Sequence, residues 1–276
     1  YDTAMQAFEH GANHLTHGFN AMPGIHHRKP GPLSAAADAE ADVELICDNV
    51  HIHPSVVRLA FKLFTDEHVI LISDTMRACG LEDGCYDLGG QQVEVKGNLA
   101  TLASDSATIA GSVTNLMNCL RCAVKTMKIP FASAVKAATH NPARSIGVLD
   151  DYGDVEAGKY ANLLILDEDS RVWAYGDNTY GQIGNSENAE SNAVQVKISE
   201  NEYLVDVPDI AAGHHSSYAV NTGTLADKTN ISMVYSWTDK SPGQPGKDPA
   251  TNARMSVVTI IDYAPSNFDV ISAGYN

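Results

Sequence analysis

Residues 43–74 read VELICDNVHIHPSVVRLAFKLFTDEHVILISD. An apolar run, VELICD, is followed by PSVVRLAFKLF, whose apolar positions recur at helical spacing, and then by a second apolar run, VILISD. Short apolar runs separated by an amphipathic helix mark parallel βα units, because a parallel strand is covered on both faces and needs a crossover to reach its neighbour. Toward the N-terminus, HLTH at 14–17 is a further strand-like run. Toward the C-terminus, helices are predicted near residues 112–127 and 131–139, the second ended by the Asn141-Pro142 break. Between them, CYDLGGQQVEVKGNLATLA (85–103) reads as short hairpins with Gly turns, a small β subdomain near 84–104. GKYANLLILDED (158–169) reads as another strand of that subdomain, which then takes in residues 150–168.

From about residue 169 the texture changes. Helical periodicity stops, and Gly, Asn, Ser and Thr punctuate short strands. An internal repeat is visible: VWAYGDNTYGQIG (172–184) aligns with VYSWTDKSPGQPG (234–246) at an offset of 62, and IAAGH (210–214) with ISAGY (271–275) at an offset of 61. The second copy is degenerate, with Thr238 for Gly176 and Pro242 and Pro245 intruding. A boundary is expected near Asp169-Ser170, dividing the chain into 1–168 and 169–276.

The 276 residues carry a net charge of −16 and a pI near 4.9. That balance argues against a nucleic-acid phosphate backbone or an anionic membrane surface as partner, since both call for clustered Lys and Arg. No stretch reaches the apolar length of a membrane span. The first residues lack the charged and apolar segments of a signal peptide, and the chain opens within an amphipathic pattern, like a piece of something longer. Cys47, Cys79, Cys85, Cys119 and Cys122 are odd in number, and the Cys119/Cys122 pair sits in a helical pattern with no matching second pair. They read as reduced thiols of a cytoplasmic protein, not as a zinc site.

Each strand-like run ends in a residue suited to chemistry: HLT at His17, ELIC in Asp48-Asn49-Val50-His51, and VILIS at Asp74. In a parallel βα array the loops open at the C-terminal ends of the strands, so these groups are expected on one rim. A histidine with a carboxylate at one rim suits a divalent metal whose bound water the carboxylate deprotonates. Arg28, in HHRKPG, adds a fixed cation of the kind that holds phosphate.

THGFNAM, GIHHRKPGPL, DNVHIHP, ILISDTMRACG, IAGS and THNPARSIGV, in this order, resemble the N-acetylglucosamine-6-phosphate deacetylases of the amidohydrolase superfamily. The resemblance covers residues 1 to about 168. It implies an α/β fold: the C-terminal part of a metal-dependent (β/α)8 barrel, about three strands, with part of a small β-sandwich. It also implies N-acetylglucosamine 6-phosphate as substrate, hydrolysed to glucosamine 6-phosphate and acetate, with N-acetylgalactosamine 6-phosphate as the alternative that these motifs do not separate. By the same resemblance His17 is a metal ligand, the metal being zinc or iron. Asn20 and Ala21 contact the substrate's sugar and phosphate, and Arg28 and His51 are phosphate and substrate partners that reach across a homodimer interface. Asp74 is the general base on the metal-bound water and then the acid toward the departing amine. His26, His27 and His53 read as bystanders. Gly18 stands where the family has a bulky apolar residue, which predicts a loosened strand end. The family's glutamate and fifth-strand histidine ligands would lie before residue 1, so the expectation is that this chain alone does not catalyse the reaction.

VWAYGDNTYGQIG and IAAGHHSSYAV are similar to repeats of the RCC1 type, which build β-propeller blades. The resemblance implies an all-β partial propeller of about two incomplete blades over 170–276, with Trp173, Tyr175 and Trp237 filling the space between blades and an unknown ligand. His214 and His215 fall at a variable position of the repeat and are not read as metal ligands. If the barrel remnant is vestigial, the alternative is a non-catalytic binding protein acting through these repeats.

Overall fold

The near-continuous apolar character of residues 43–46 and 69–72 demands cover on both faces, and the computed structural model supplies it. It describes residues 1–176, 183–184, 193–199, 202–212, 216–224, 230–238 and 255–260. The chain divides into two compact units, Tyr1–Lys159 and Tyr160–Asn276.

The first unit begins with α1 (Asp2–Glu9), β1 (His14–Leu15), α2 (Gly31–Asp38), β2 (Asp42–Ile46), α3 (Pro54–His68) and β3 (Val69–Ile72). The strands form one parallel sheet in the order β1-β2-β3, with Leu15 opposite Val43 and Leu45 opposite Leu71. These are the three parallel strands expected from the sequence. In α3, His53 caps the first turn by accepting from the Ser55 N–H, and Pro54 occupies a position where its missing N–H has no cost. Val57, Ala60, Phe61 and Phe64 then form the apolar stripe that packs on Val43, Leu45, Val69 and Leu71. The helix breaks at Thr65, whose φ is 59°.

After β3 the chain forms β4 (Gly84–Leu88), β5 (Gln91–Lys96), β6 (Leu99–Leu102) and β7 (Asp105–Ile109), an antiparallel meander. Gly89 and Gly90, at φ 60° and 87°, make the tight turn between β4 and β5 that favours glycine. Met76, Ala78, Val93, Val95 and Ala100 form a small core beneath this sheet. Next come α4 (Leu116–Lys125), α5 (Phe131–Ala138) and α6 (His140–Ser145).

Two expectations need correction here. The helical break does not fall at Asn141-Pro142. It falls at Thr139, and Pro142 sits in the first turn of α6, where no N–H is required. The side chain of Asn141, fully buried, donates to the carbonyls of Asp66 (2.8 Å) and Val69 (2.7 Å), tying α6 to the junction of α3 and β3. Nor is the end of β1 loosened at Gly18. A Cβ there would lie 2.7 Å from Val43 Cγ2 and 3.2 Å from the Glu44 carbonyl oxygen, and the Gly18 N–H donates to that oxygen at 2.8 Å. Glycine permits this close approach of two chain segments.

The second unit contains β8 (Leu163–Leu166), β9 (Val172–Tyr175), β10 (Val194–Gln195), β11 (Lys197–Ser199), β12 (Glu202–Tyr203), β13 (Asp209–Ala212), β14 (Ser216–Thr224), β15 (Asn230–Thr238) and β16 (Met255–Ile260). The strand expected to join the small subdomain, β8, instead pairs antiparallel with β9, and the boundary expected at Asp169-Ser170 lies in the turn between them. Alternation explains the pairing: Val172 and Ala174 are buried against Leu164 in this unit's own core, with Trp237 and Tyr235. Strands β13 to β16 form a four-stranded antiparallel meander. The two repeat copies bury opposite faces: Val172 and Ala174 point inward in the first, whereas Tyr235 and Trp237, aligned with Trp173 and Tyr175, point inward in the second. Repeat positions 177–182, 239–246 and 271–275, together with His214, His215, Pro242 and Pro245, lie outside the described residues. Among the described residues, no helix is long and apolar enough to cross a membrane.

Candidate active site

At the C-terminal edge of the parallel sheet lies a cleft of about 530 Å³. Five of the six residues picked out from the sequence line it: His17, Asn20, Ala21, His51 and Asp74. The sixth, Arg28, does not. It is exposed in the loop before α2, and its guanidinium has no partner among the described residues.

The loops that carry these groups are bent by unusual backbone. His17 (φ 35°), Ala21 (φ 53°), Asn49 (φ 65°) and Asp74 (φ 47°) are all non-glycine residues in the left-handed region. Such conformations cost about 1–3 kcal/mol each and persist where surrounding bonds over-determine them. The His17 turn shows how: the His17 N–H donates to Glu44 Oε2 (3.2 Å), the Gly18 N–H donates to the Glu44 carbonyl (2.8 Å), and the Asn20 side-chain amide donates back to the carbonyls of His17 (3.3 Å) and Gly18 (3.2 Å). A hydrogen bond to a carboxylate contributes about 1.5–3 kcal/mol, the same order as the strain at His17. Asp74 is fixed through its main chain, its carbonyl accepting from the Ser112 N–H at 3.0 Å.

His51 sits at the centre of the polar lining. Its Nδ1 lies 2.7 Å from Asp48 Oδ2 and its Nε2 lies 3.2 Å from the Ala110 carbonyl oxygen, while Asp48 Oδ1 accepts from the Val50 and His51 N–H groups, both at 2.9 Å. The two side chains are 7% and 4% exposed. Burial works against the charged ring, but the Asp48 hydrogen bond and charge outweigh it and raise the His51 pKa. Burial also works against the Asp48 carboxylate, and the bonds from the His51 ring and the two amides outweigh that and lower its pKa. Both ring nitrogens face acceptors, an arrangement that favours the protonated ring and fixes His51 in the cleft wall.

The remaining wall comes from the small sheet: Leu88, Gln91, Leu102 and residues 107–111. Sequence reading did not assign these a role, although Ile109-Ala110-Gly111 lay within one of the motifs noted above. What brings them in is a parallel bridge between Thr75 and Ser112, reinforced by the Met76 N–H donating to the Ser112 carbonyl at 2.8 Å. Behind the site, the thiols of Cys47 and Cys119 are buried and un-ionised. Burial raises the Cys47 pKa well above the usual thiol value, and burial first, with the Asp48 charge, pushes Cys119 up to about 12.

The lining bears on whether a metal fits. His17 Nδ1 is buried with no hydrogen-bond partner, an orphaned polar nitrogen that an incoming group would satisfy. Among the described residues, however, no group of three or more His, Cys, Asp or Glu side chains converges to hold a metal ion. His51 already has acceptors at both nitrogens, which leaves His17 and Asp74 as candidate donors in the cleft. The donors present do not make up a complete metal site.

The sequence profile of the amidohydrolase family matches residues 2–201. The chain is 39% identical over 163 residues to the N-acetylglucosamine-6-phosphate deacetylase of Bacillus subtilis (strain 168), covering 59% of this chain and 41% of that relative. It is 36% identical over 174 residues to the N-acetylgalactosamine-6-phosphate deacetylase of Escherichia coli O157:H7, covering 62% of this chain and 45% of that relative. Among solved structures it resembles a mutant of the N-acetyl-D-glucosamine-6-phosphate deacetylase of Mycobacterium smegmatis in complex with N-acetyl-D-glucosamine-6-phosphate. There the TM-score is 0.57 and the identity 37%, over 63% of this chain and 46% of that one. The chain thus spans less than half the length of these relatives. The family match includes every residue that lines the cleft.

Proposed function

Since the chain belongs to the amidohydrolase family, we propose that it forms part of a hydrolase that removes the acetyl group from N-acetylglucosamine 6-phosphate, giving glucosamine 6-phosphate and acetate. The observation that carries this reading is the gathering of His17, Asn20, Ala21, His51 and Asp74 around one cleft. The named relatives support the substrate class. In this reading Asp74 takes a proton from the water that attacks the amide carbonyl carbon. As the C–N bond breaks, Asp74 returns the proton to the leaving nitrogen. His51 donates from Nε2 to a substrate oxygen that takes the place of the Ala110 carbonyl. Asn20 and Ala21 contact the sugar and its phosphate. Zinc or iron is the metal that the resemblance implies, and His17 would be a ligand to it. The complementary ligands do not occur among the described residues, so no step is drawn through the metal.

Arg28, exposed and outside the cleft, is proposed to bind the phosphate of a substrate held by a second copy of the chain, in a homodimer. The three-stranded sheet is read as part of a (β/α)8 barrel. Residues 169–276 are read as RCC1-type repeats, for which the β13–β16 meander is the supporting observation. The similarity to the Escherichia coli relative favours N-acetylgalactosamine 6-phosphate as a second substrate reading.

The test supplies the complementary ligands by fusing the chain behind the N-terminal half of the Bacillus subtilis relative and measuring acetate release from each sugar phosphate. Asp74→Asn, which keeps the shape and removes the base, lowers kcat by roughly two to four orders of magnitude. Arg28→Ala mainly raises KM by removing a charge-assisted anchor remote from the amide. The 276-residue chain by itself stays at background. An Asp74→Asn enzyme with unchanged kcat would sink the assignment.

A further inference from the structure

We infer that Glu44 is the positioning residue of this cleft: its carboxylate and its carbonyl together hold the turn after β1 in the left-handed form that carries His17 to the site. The inference rests on the reading of His17 as a site residue. Glu44 lies in the middle of β2 and two residues before Ile46, so the two share a strand face, and Ile46 lines the cleft. Its carboxylate is therefore directed to the site side of the sheet, away from the core formed by Val43 and Leu45.

One oxygen makes a hydrogen bond there, and the other makes only a close charge contact with a ring nitrogen that has no hydrogen-bond partner. Oε2 accepts from the His17 N–H at 3.2 Å, and Oε1 lies 2.9 Å from His14 Nε2. The His14 ring is braced on its other side, with Nδ1 2.9 Å from Ser145 Oγ on α6. The Glu44 side chain thus bonds the His17 turn and sits beside the His14 ring, which α6 holds from its other nitrogen. His17 needs this external hold, because its own Nδ1 is buried without a partner and its φ of 35° is one that a non-glycine residue seldom adopts. Asn20 secures the carbonyl side of the same turn. On the N–H side, the contacts to His17 and Gly18 both come from Glu44.

The test uses the full chain, isotopically labelled, as wild type, Glu44→Gln and Glu44→Ala. It reads amide exchange at His17 and Gly18, the intra-residue HN–Hα NOE of His17 (strong only at positive φ), and the overall unfolding midpoint. In Glu44→Ala the His17 amide is expected to exchange about tenfold faster or more and its NOE to weaken, at temperatures where the fold is intact. Glu44→Gln keeps one acceptor oxygen on the same stem and is expected to restore the NOE and most of the protection. A residue that only stabilised the fold would lower the midpoint and leave the His17 NOE unchanged; that result overturns the inference. If the Ala variant fails to fold, Glu44→Asp decides: its shorter stem withdraws the acceptor from the His17 N–H, and an unchanged NOE and exchange rate overturn the inference. None of these readouts needs turnover. A failed acetate assay with Glu44 dependence intact therefore sinks the deacetylase reading alone, and the opposite pattern sinks this inference alone.

Discussion

The two units treat their polar residues in opposite ways. In Tyr1–Lys159 the parallel strands deliver His17, His51 and Asp74 to loops on one edge, where Asp48 pairs locally with His51 but the buried His17 Nδ1 is left without a partner. In Tyr160–Asn276 the chain turns straight back. Asp167, in the β8–β9 turn, accepts from Trp173 Nε1 (2.9 Å), Arg171 Nε (2.8 Å), the Arg171 N–H (2.9 Å) and the Asp169 N–H (3.0 Å). The Trp173 bond is the foremost cause of an Asp167 pKa drawn down to about 2. A carboxylate so saturated by its own hairpin is not free for a ligand. Parallel architecture leaves chemistry available, and antiparallel hairpins absorb it.

The strongest attempt to break this contrast is Trp237→Ala. Trp237 is fully buried in the second unit's core, and truncation is expected to cost about 3–5 kcal/mol. Amide exchange should accelerate across β14 and β15 while β2 and β3 keep their protection; equal loss in both would show that the units are not separate. A smaller effect is expected from Gly18→Ala, where the added Cβ meets Val43 at 2.7 Å. Overpacking of this kind costs about 1–3 kcal/mol, read as a shifted denaturant midpoint with an unchanged slope. An Ala variant as stable as wild type would show that the approach of β1 to β2 is not tight.

The smallest effect concerns pH. The His51 pKa is raised from 6.5, so its contribution is complete below that value and lost as pH climbs through the raised one. The Asp48 pKa is lowered from 3.8, so its contribution is present above that value and lost as pH falls through the lowered one. Protection of the Val50 and His51 amides should therefore form a plateau between about pH 4 and 6.5 and decline on the alkaline side. Asp48→Asn should flatten that alkaline decline. A variant profile that superimposes on wild type would remove the ion pair from the account.

Much of the first unit was legible in the sequence because its signals are local. The runs at 43–46 and 69–72 specify strands, the stripe on α3 specifies the helix between them, and chain order then places His17, His51 and Asp74 at one edge. What escaped depends on distant pairings. The wall from Leu88 to Gly111 joins the cleft only because Ser112 pairs with Thr75. Gly18 looked like a weakness until Val43 was seen against it. The repeat at 172 and 234 was visible as letters, but which aromatic faces inward depends on strand pairing, and Trp173 and Tyr235 fall on different sides.

The buried amide of Asn141 has a consequence for how the protein ages. Asparagine side chains deamidate fastest when the next backbone nitrogen attacks them to close a succinimide ring, and that attack requires an N–H. The following residue is Pro142, which has none. Conversion to aspartate would place a negative charge against the Asp66 and Val69 carbonyl oxygens that the amide now bonds. The same proline that opens α6 without cost therefore closes the quickest chemical route to that damage, and leaves slow direct hydrolysis to set the lifetime of this joint.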